Sequence, residues 1–212
     1  MDHHPLTDSD WEAAWAPYDD ATYRAALAFL RPDDVVLDIG AGDLRFARRA
    51  AALVRRVVAV ERNAALFPFS TQPQTTCEGV LIVLQGDALA VDFPPDVTVG
   101  VLLMRHCRHF AHYIARLRGV GCRQLITNAR WGMGVECVSL APQPSFAASG
   151  PGWYACLCGA VGFKPGPPES ITPIVLQRVH ALENCPACCT GSHLAEMEST
   201  WSESSSSLTA PN

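Results

Sequence analysis

Three acidic residues stand where apolar runs end. Asp38 closes Val35-Val36-Leu37, Glu61 closes Val57-Val58-Ala59-Val60, and Asp87 follows Val80-Leu81-Ile82-Val83-Leu84 and Gln85-Gly86. Gly40 and Gly42 come directly after the first acid, and an Arg/Ala-rich helical pattern begins just beyond them. A carboxylate accepts hydrogen bonds from paired hydroxyls or from an amine. Glycine lets the backbone pass close to a ligand, and a helix N-terminus offers it free N–H groups. The stretch from Asp38 to Gly42 reads as a ligand-binding turn.

Two further groups could do chemistry. Cys156-Leu157-Cys158 and Cys185-Pro186-Ala187-Cys188 supply four thiols, with Cys189 and His193 as possible substitutes. Residues two apart in an extended strand share a face, which would let Cys156 and Cys158 converge. Antiparallel pairing of their strand with the next would bring Cys185 and Cys188 beside them. Four thiolates meeting in this way suit a closed, tetrahedral, structural zinc site. The alternative is that Cys156 and Cys158 are ordinary buried cysteines. The second group follows the fourth apolar run: Arg105, His106, Cys107, Arg108 and His109, with His112 one turn on. Asn128, Arg130 and Trp131 follow the fifth run and could form an opposite wall. His106, nearest the strand end, and Asn128 are the candidate catalytic residues. The competing reading is a helix whose His/Arg-rich polar face lies in water.

The elements that position these residues read as an α/β alternation. A helix is predicted over 20–30, capped by Asp19 or Asp20 after Pro17-Tyr18. Strands follow at Val35–Ile39, Val57–Glu61, Val80–Leu84, Val97–Met104 and Gln124–Thr127. Helices are expected over Leu44–Leu53, around Ala64–Phe67 and over Arg105–Leu117, with a polar loop from Ser70 to Glu78. Near-continuous apolar strands mark a parallel sheet covered on both faces, a Rossmann-like doubly wound architecture. Beyond residue 140 two β-type runs, Trp153–Phe163 and Ile174–Leu182, have only the Pro/Gly-rich 164–173 between them and predict a C-terminal antiparallel hairpin. The expected organisation is an N-terminal helical segment (1–34), a ligand-binding domain (35–182), a Cys-rich hairpin (153–193) and a Ser/Glu-rich disordered tail (196–212).

Composition narrows the partners. The net charge is −5, which gives no global basic field for nucleic acid, although residues 105–130 hold six arginines and three histidines. No apolar run is long enough to span a membrane, and the polar start Met1-Asp2-His3-His4 lacks a signal core. A cytoplasmic protein with reduced or metal-bound cysteines is expected, with no membrane and no DNA partner.

The strand-end motifs separate two ligand classes. A dinucleotide turn wants a third glycine where Arg45 stands. The set Asp38-Ile39-Gly40-Ala41-Gly42, Val60-Glu61-Arg62 and Gly86-Asp87-Ala88 resembles the class I S-adenosylmethionine-dependent methyltransferases, over roughly Tyr18 to Thr127. That resemblance implies Glu61 on the ribose hydroxyls, Asp87 on the adenine amine and the Ala88 N–H toward a ring nitrogen. It implies Gly40 and Gly42 against the methionine moiety, and Asp38 orienting that loop or its bound water. Within the class, Gly86-Asp87-Ala88-Leu89-x-x-Asp92-Phe93-Pro94 with Val99-Gly100 is similar to the ribosomal RNA adenine dimethyltransferases. Their Asn-Leu-Pro-Tyr, which holds and stacks a flipped adenine, is here Val101-Leu102-Leu103-Met104. The implied activity is methyl transfer from S-adenosylmethionine to an unidentified acceptor, a small molecule or RNA. An adenine-type RNA methyltransferase, and a degenerate, non-catalytic, zinc-stabilised interaction module, are the alternatives.

Overall fold

The computed structural model describes residues 18–63, 66, 74–75, 80–105, 107–130 and 132–189. Helix α1 (Asp20–Leu27) starts at Asp19, whose side chain accepts from the Thr22 N–H at 2.7 Å, satisfying one of the orphan donors of the first turn. Strand β1 (Val35–Ile39) leads to α2 (Arg45–Ala51), then β2 (Arg56–Glu61), β3 (Gln74–Thr75), β4 (Val80–Gln85) and β5 (Val99–Leu102). Helix α3 (Phe110–Gly119) follows, then β6 (Gln124–Thr127) and β7 (Glu136–Ser139). These strands form one sheet in the order β3-β4-β2-β1-β5-β6-β7. The five inner strands are parallel, and β3 and β7 close the edges antiparallel. The chain builds outward from β1 through β2 to β4, then crosses back to β5 on the other side of β1. The carboxyl ends of β1 and β5 therefore flank a topological switch point, where open α/β sheets bind ligands.

Each face of the sheet buries its own core. Val36, Ala59 and Val101 point to the α1/α2 side with Tyr23, Phe46 and Ala50. Val35, Leu37 and Ile39 point to the α3 side with Phe110, Ile114 and Leu117. This period-2 alternation on a strand buried throughout is what the apolar run Val35–Ile39 encodes. Gly100 lets α3 approach: a methyl group there would stand 2.7 Å from Leu117 Cδ1. No helix among the described residues is long and apolar enough to cross a membrane.

Several expected boundaries move. The fourth apolar run is in the ladder only over Val99–Leu102. Thr98 uses its hydroxyl on Asp34 (2.9 Å) and receives the Val35 N–H (3.0 Å), while Met104 leaves the ladder and folds over Gly40. The expected helix from Arg105 begins only at Phe110, and the Arg105 N–H donates instead to the Tyr18 hydroxyl at 3.1 Å. A strand not expected from the sequence, β7, returns beside β6 through Gly132 and Gly134, both at positive φ. The polar loop from Ser70 holds the short β3. Most of the helix expected around Ala64–Phe67 (residues 64, 65 and 67), residues 1–17 of the N-terminal segment and the tail from residue 196 lie outside the described residues.

A second sheet, in the order β10-β8-β9, joins β8 (Gly152–Cys156), β9 (Val161–Lys164) and β10 (Val179–Leu182). An antiparallel hairpin is present, but it lies within the first run: β8 and β9 pair across the turn at 157–160. The second run does not form its other arm. Residues 173–177 are helical (α4, Pro173–Gln177, capped by Thr172), so the chain crosses over and β10 enters parallel to β8. Parallel strands need such a crossover.

Candidate methyl-donor site and four-cysteine centre

Glu61 is the hub of the strand-end site. Its backbone carbonyl accepts from the Gly86 N–H at 2.9 Å. Its carboxylate takes the Gly42 N–H at 2.8 Å and the Asn63 N–H at 2.7 Å. The neighbouring Val60 carbonyl accepts from the N–H groups of Gly40 (2.9 Å) and Ala41 (3.0 Å). The turn after β1, the end of β2 and the turn after β4 are thus stitched together through one residue. Each Glu61 oxygen keeps a lone pair for a further donor.

Asp38 lies on the same sheet face, in register with Ala59 on one side and Val101 on the other. It is 3% exposed, and its Oδ2 has no hydrogen-bond partner among the described residues. Burial between apolar neighbours, and then the Glu61 charge, push its carboxyl up to about 7. A buried carboxylate left this way is costly unless a donor or cation arrives.

Gly40 and Gly42 both adopt positive φ, 70° and 56°, the left-handed conformation that glycine tolerates. A side chain at Gly40 would also meet Met104, with Cε 3.0 Å away. Asp87 accepts from the Leu89 N–H at 2.8 Å, a turn-forming bond that leaves its other oxygen for a ligand. The Ala88 carbonyl is gripped by Arg116 Nη1, and Arg116 Nη2 holds the Val91 carbonyl at 2.5 Å. Arg116 also stands 4.0 Å over the Phe93 ring. Arg116, Met104 and Tyr18 thus shape the site without any local motif that would flag them.

Of the residues expected near an acceptor, His106 and Trp131 lie outside the described residues. Asn128 follows β6, is 7% exposed, and has neither amide atom hydrogen-bonded among the described residues. Arg130, expected to face an acceptor, does not. It is 4% exposed and makes a bidentate pair with Glu136, Nε to Oε1 at 2.6 Å and Nη2 to Oε2 at 2.5 Å. Neither its burial nor that partner, six residues on, is signalled by spacing.

The four cysteines do converge. The Sγ atoms of Cys156, Cys158, Cys185 and Cys188 all lie within 4.8 Å of one another. Cys156–Cys188 and Cys158–Cys185 are 3.6 Å apart, and Cys185–Cys188 3.8 Å. A tetrahedron of metal–sulfur bonds of about 2.3 Å has edges of about 3.8 Å, so the donor set fits a tetrahedral ion. The route to this geometry differs from the expected one. Cys156 ends β8, whereas Cys158 sits in the turn after it, not on the same strand face. Parallel β8 and β10 finish side by side, which delivers Cys185 and the short helix α5 (Pro186–Cys189) to that turn. As free thiols, hydrogen bonding with Cys158 lowers the Cys156 pKa, while that of Cys158 is pushed up.

The model of the family described as ribosomal RNA adenine dimethylase matches residues 24–127. The probable ribosomal RNA small subunit methyltransferase A of Methanosarcina mazei is 42% identical over 69 residues, 32% of this chain. The chain spans a quarter of that relative's length. Among solved structures, a dimethyladenosine transferase from Plasmodium falciparum is 15% identical, with a TM-score of 0.41 over 51% of this chain and 41% of that one. An S-adenosylmethionine-dependent methyltransferase from Thiobacillus denitrificans, in complex with S-adenosyl-L-homocysteine, is 16% identical. Its TM-score is 0.39 over 55% of this chain and 52% of that one.

Proposed function

Because residues 24–127 match the family model described as ribosomal RNA adenine dimethylase, we propose that the chain binds S-adenosylmethionine at the carboxyl ends of β1, β2 and β4 and transfers its methyl group. The observation that carries this reading is the stitching of all three strand-end turns by Glu61, beside a buried Asp38 with an unpartnered oxygen. Bound there, the cofactor supplies a methyl group activated by a sulfonium. Methyl transfer is an in-line displacement, so the protein's work is alignment and, where the acceptor carries a proton, a base.

The roles follow the geometry. Asp38 meets the cationic amino-acid end, directly or through water, while Gly40 and Gly42 admit it. The free lone pairs of Glu61 take the ribose hydroxyls. Asp87 takes the adenine amine and the Ala88 N–H a ring nitrogen. Asn128 offers an unsatisfied donor and acceptor to the incoming substrate, and His106 is the candidate base. Cys156, Cys158, Cys185 and Cys188 hold one structural zinc ion, in a module appended over 153–193. The thiolates this requires fit a reducing, cytoplasmic location.

The relative from Methanosarcina mazei is named for ribosomal RNA, which supports an RNA acceptor. Against adenine, Val101-Leu102-Leu103-Met104 supplies neither an amide nor a stacking ring, and Leu102 is buried. We favour a different acceptor. Incubation with methyl-labelled S-adenosylmethionine and either RNA or a small-molecule extract tests this. Label in either fraction on a group other than adenine, absent with Asp87→Ala, is expected. Label on adenine in RNA favours the first alternative, and cofactor binding without transfer favours the non-catalytic module.

A further inference from the structure

The thiol-bearing turn is wedged into the larger domain. Leu157, between its two cysteines, is 5% exposed and belongs to the core under α3. Gly159, at φ +99°, lies against Phe110, the first residue of α3. A methyl group there would stand 3.2 Å from Phe110 Cδ1. The Cys156 carbonyl accepts from Arg130 Nη1 at 3.4 Å. Arg130 is two residues past Asn128, and its other two guanidinium nitrogens are committed to Glu136 at the start of β7. A guanidinium held bidentately by a carboxylate has its third nitrogen aimed by geometry, which lysine cannot reproduce.

We infer that Arg130 is a positioning residue for methyl transfer: it ties Cys156 of the four-thiol centre to the loop that follows Asn128, so that metal loading fixes the acceptor wall. The physical chain is short. Four thiols without an ion are held by weak S–H contacts, whereas a tetrahedral ion locks the turn at 156–158 and couples binding to local folding. The locked turn presents the Cys156 carbonyl to Arg130, and the Arg130–Glu136 fork closes the loop between β6 and β7. Asn128, whose amide is free for an acceptor, stands at the root of that loop. The donor turn is not on this path: Gly40–Gly42 is held by Glu61 and Val60.

This rests on the metal reading above, and the test separates the two. The full chain is loaded with zinc or stripped by a chelator, its metal content is measured, and amide exchange is followed by mass spectrometry. Loading is expected to slow exchange over the described residues of 128–136 by about tenfold. Residues 35–42 should stay unchanged, and affinity for S-adenosylhomocysteine should move by less than about twofold. In Arg130→Met the metal is still taken up, but its effect on 128–136 disappears, and Arg130→Lys does not restore it. A purely structural ion pair would not make 128–136 respond to metal. Metal uptake with no change at 128–136 overturns the proposal while the metal centre stands. No uptake at all overturns the metal reading and the proposal with it. The comparison of loaded and stripped wild type needs no variant, so it decides the matter even if Arg130→Met does not fold.

Discussion

Asp38→Asn is expected to stabilise the protein and weaken its ligand binding. The side chain is buried between Ala59 and Val101, faces the Glu61 charge, and has one oxygen without a partner. Its carboxyl is raised from 3.8 to about 7. The folded state therefore holds a proton at Asp38 that the unfolded chain has released. Raising the pH from about 4 to about 7 costs stability over that window. Below it both states are protonated and the cost vanishes. Above it both are ionised and the cost is complete, on the order of 4 kcal/mol for a shift of about three units. Asparagine keeps the shape and removes the charge. Urea unfolding of ligand-free wild type and Asp38→Asn from pH 5 to pH 8 measures the difference. The advantage of the variant should widen by about 2–3 kcal/mol across that range, while its affinity for S-adenosylhomocysteine falls. A stability difference that stays flat or narrows as pH rises would refute the reasoning, since Asp38 would then be a satisfied carboxylate.

Other perturbations probe separate parts of the account. If a cationic group of the ligand meets Asp38, binding near pH 6.5 releases a proton, and calorimetric heats will differ between buffers of different ionisation enthalpy. Gly100→Ala should cost about 1–3 kcal/mol by driving α3 off the sheet, because the added methyl stands 2.7 Å from Leu117 Cδ1. Denaturant titration measures that cost, and ligand affinity should not follow it. Freshly reduced protein should carry about one zinc per chain, released with thiol protonation at low pH, and Cys185→Ser/Cys188→Ser should carry none. Metal analysis checks both.

The larger sheet and its strand-end acids were legible because their signals are local and repeated. Each inner strand is an apolar run, each ligand-side acid ends or follows such a run, and strand order then brings Asp38, Glu61 and Asp87 to one sheet edge. What sequence could not convey was how Glu61 is used: its two oxygens already bind backbone amides, a role set by contacts across three strands. The small sheet does contain an antiparallel hairpin, but the second run enters parallel to β8 because Pro173–Gln177 is a helix that reverses the chain before β10, and its apolar residues also fit a strand. The cysteines still converged, since parallel strands finish side by side as readily as a hairpin's ends meet. Arg130 looked like an acceptor contact because its partner, Glu136, lies on a strand that exists only by pairing with β6.

The central claim is that the three strand-end acids form a site for S-adenosylmethionine. Isothermal titration of the full chain with S-adenosylhomocysteine tests it most directly. Binding at one site per chain is expected, weakened at least about tenfold in Asp87→Ala, equivalent to about 1.4 kcal/mol. Absence of binding heat from correctly folded wild type, in buffers chosen to expose any enthalpy, together with no ligand retained on equilibrium dialysis, would contradict it.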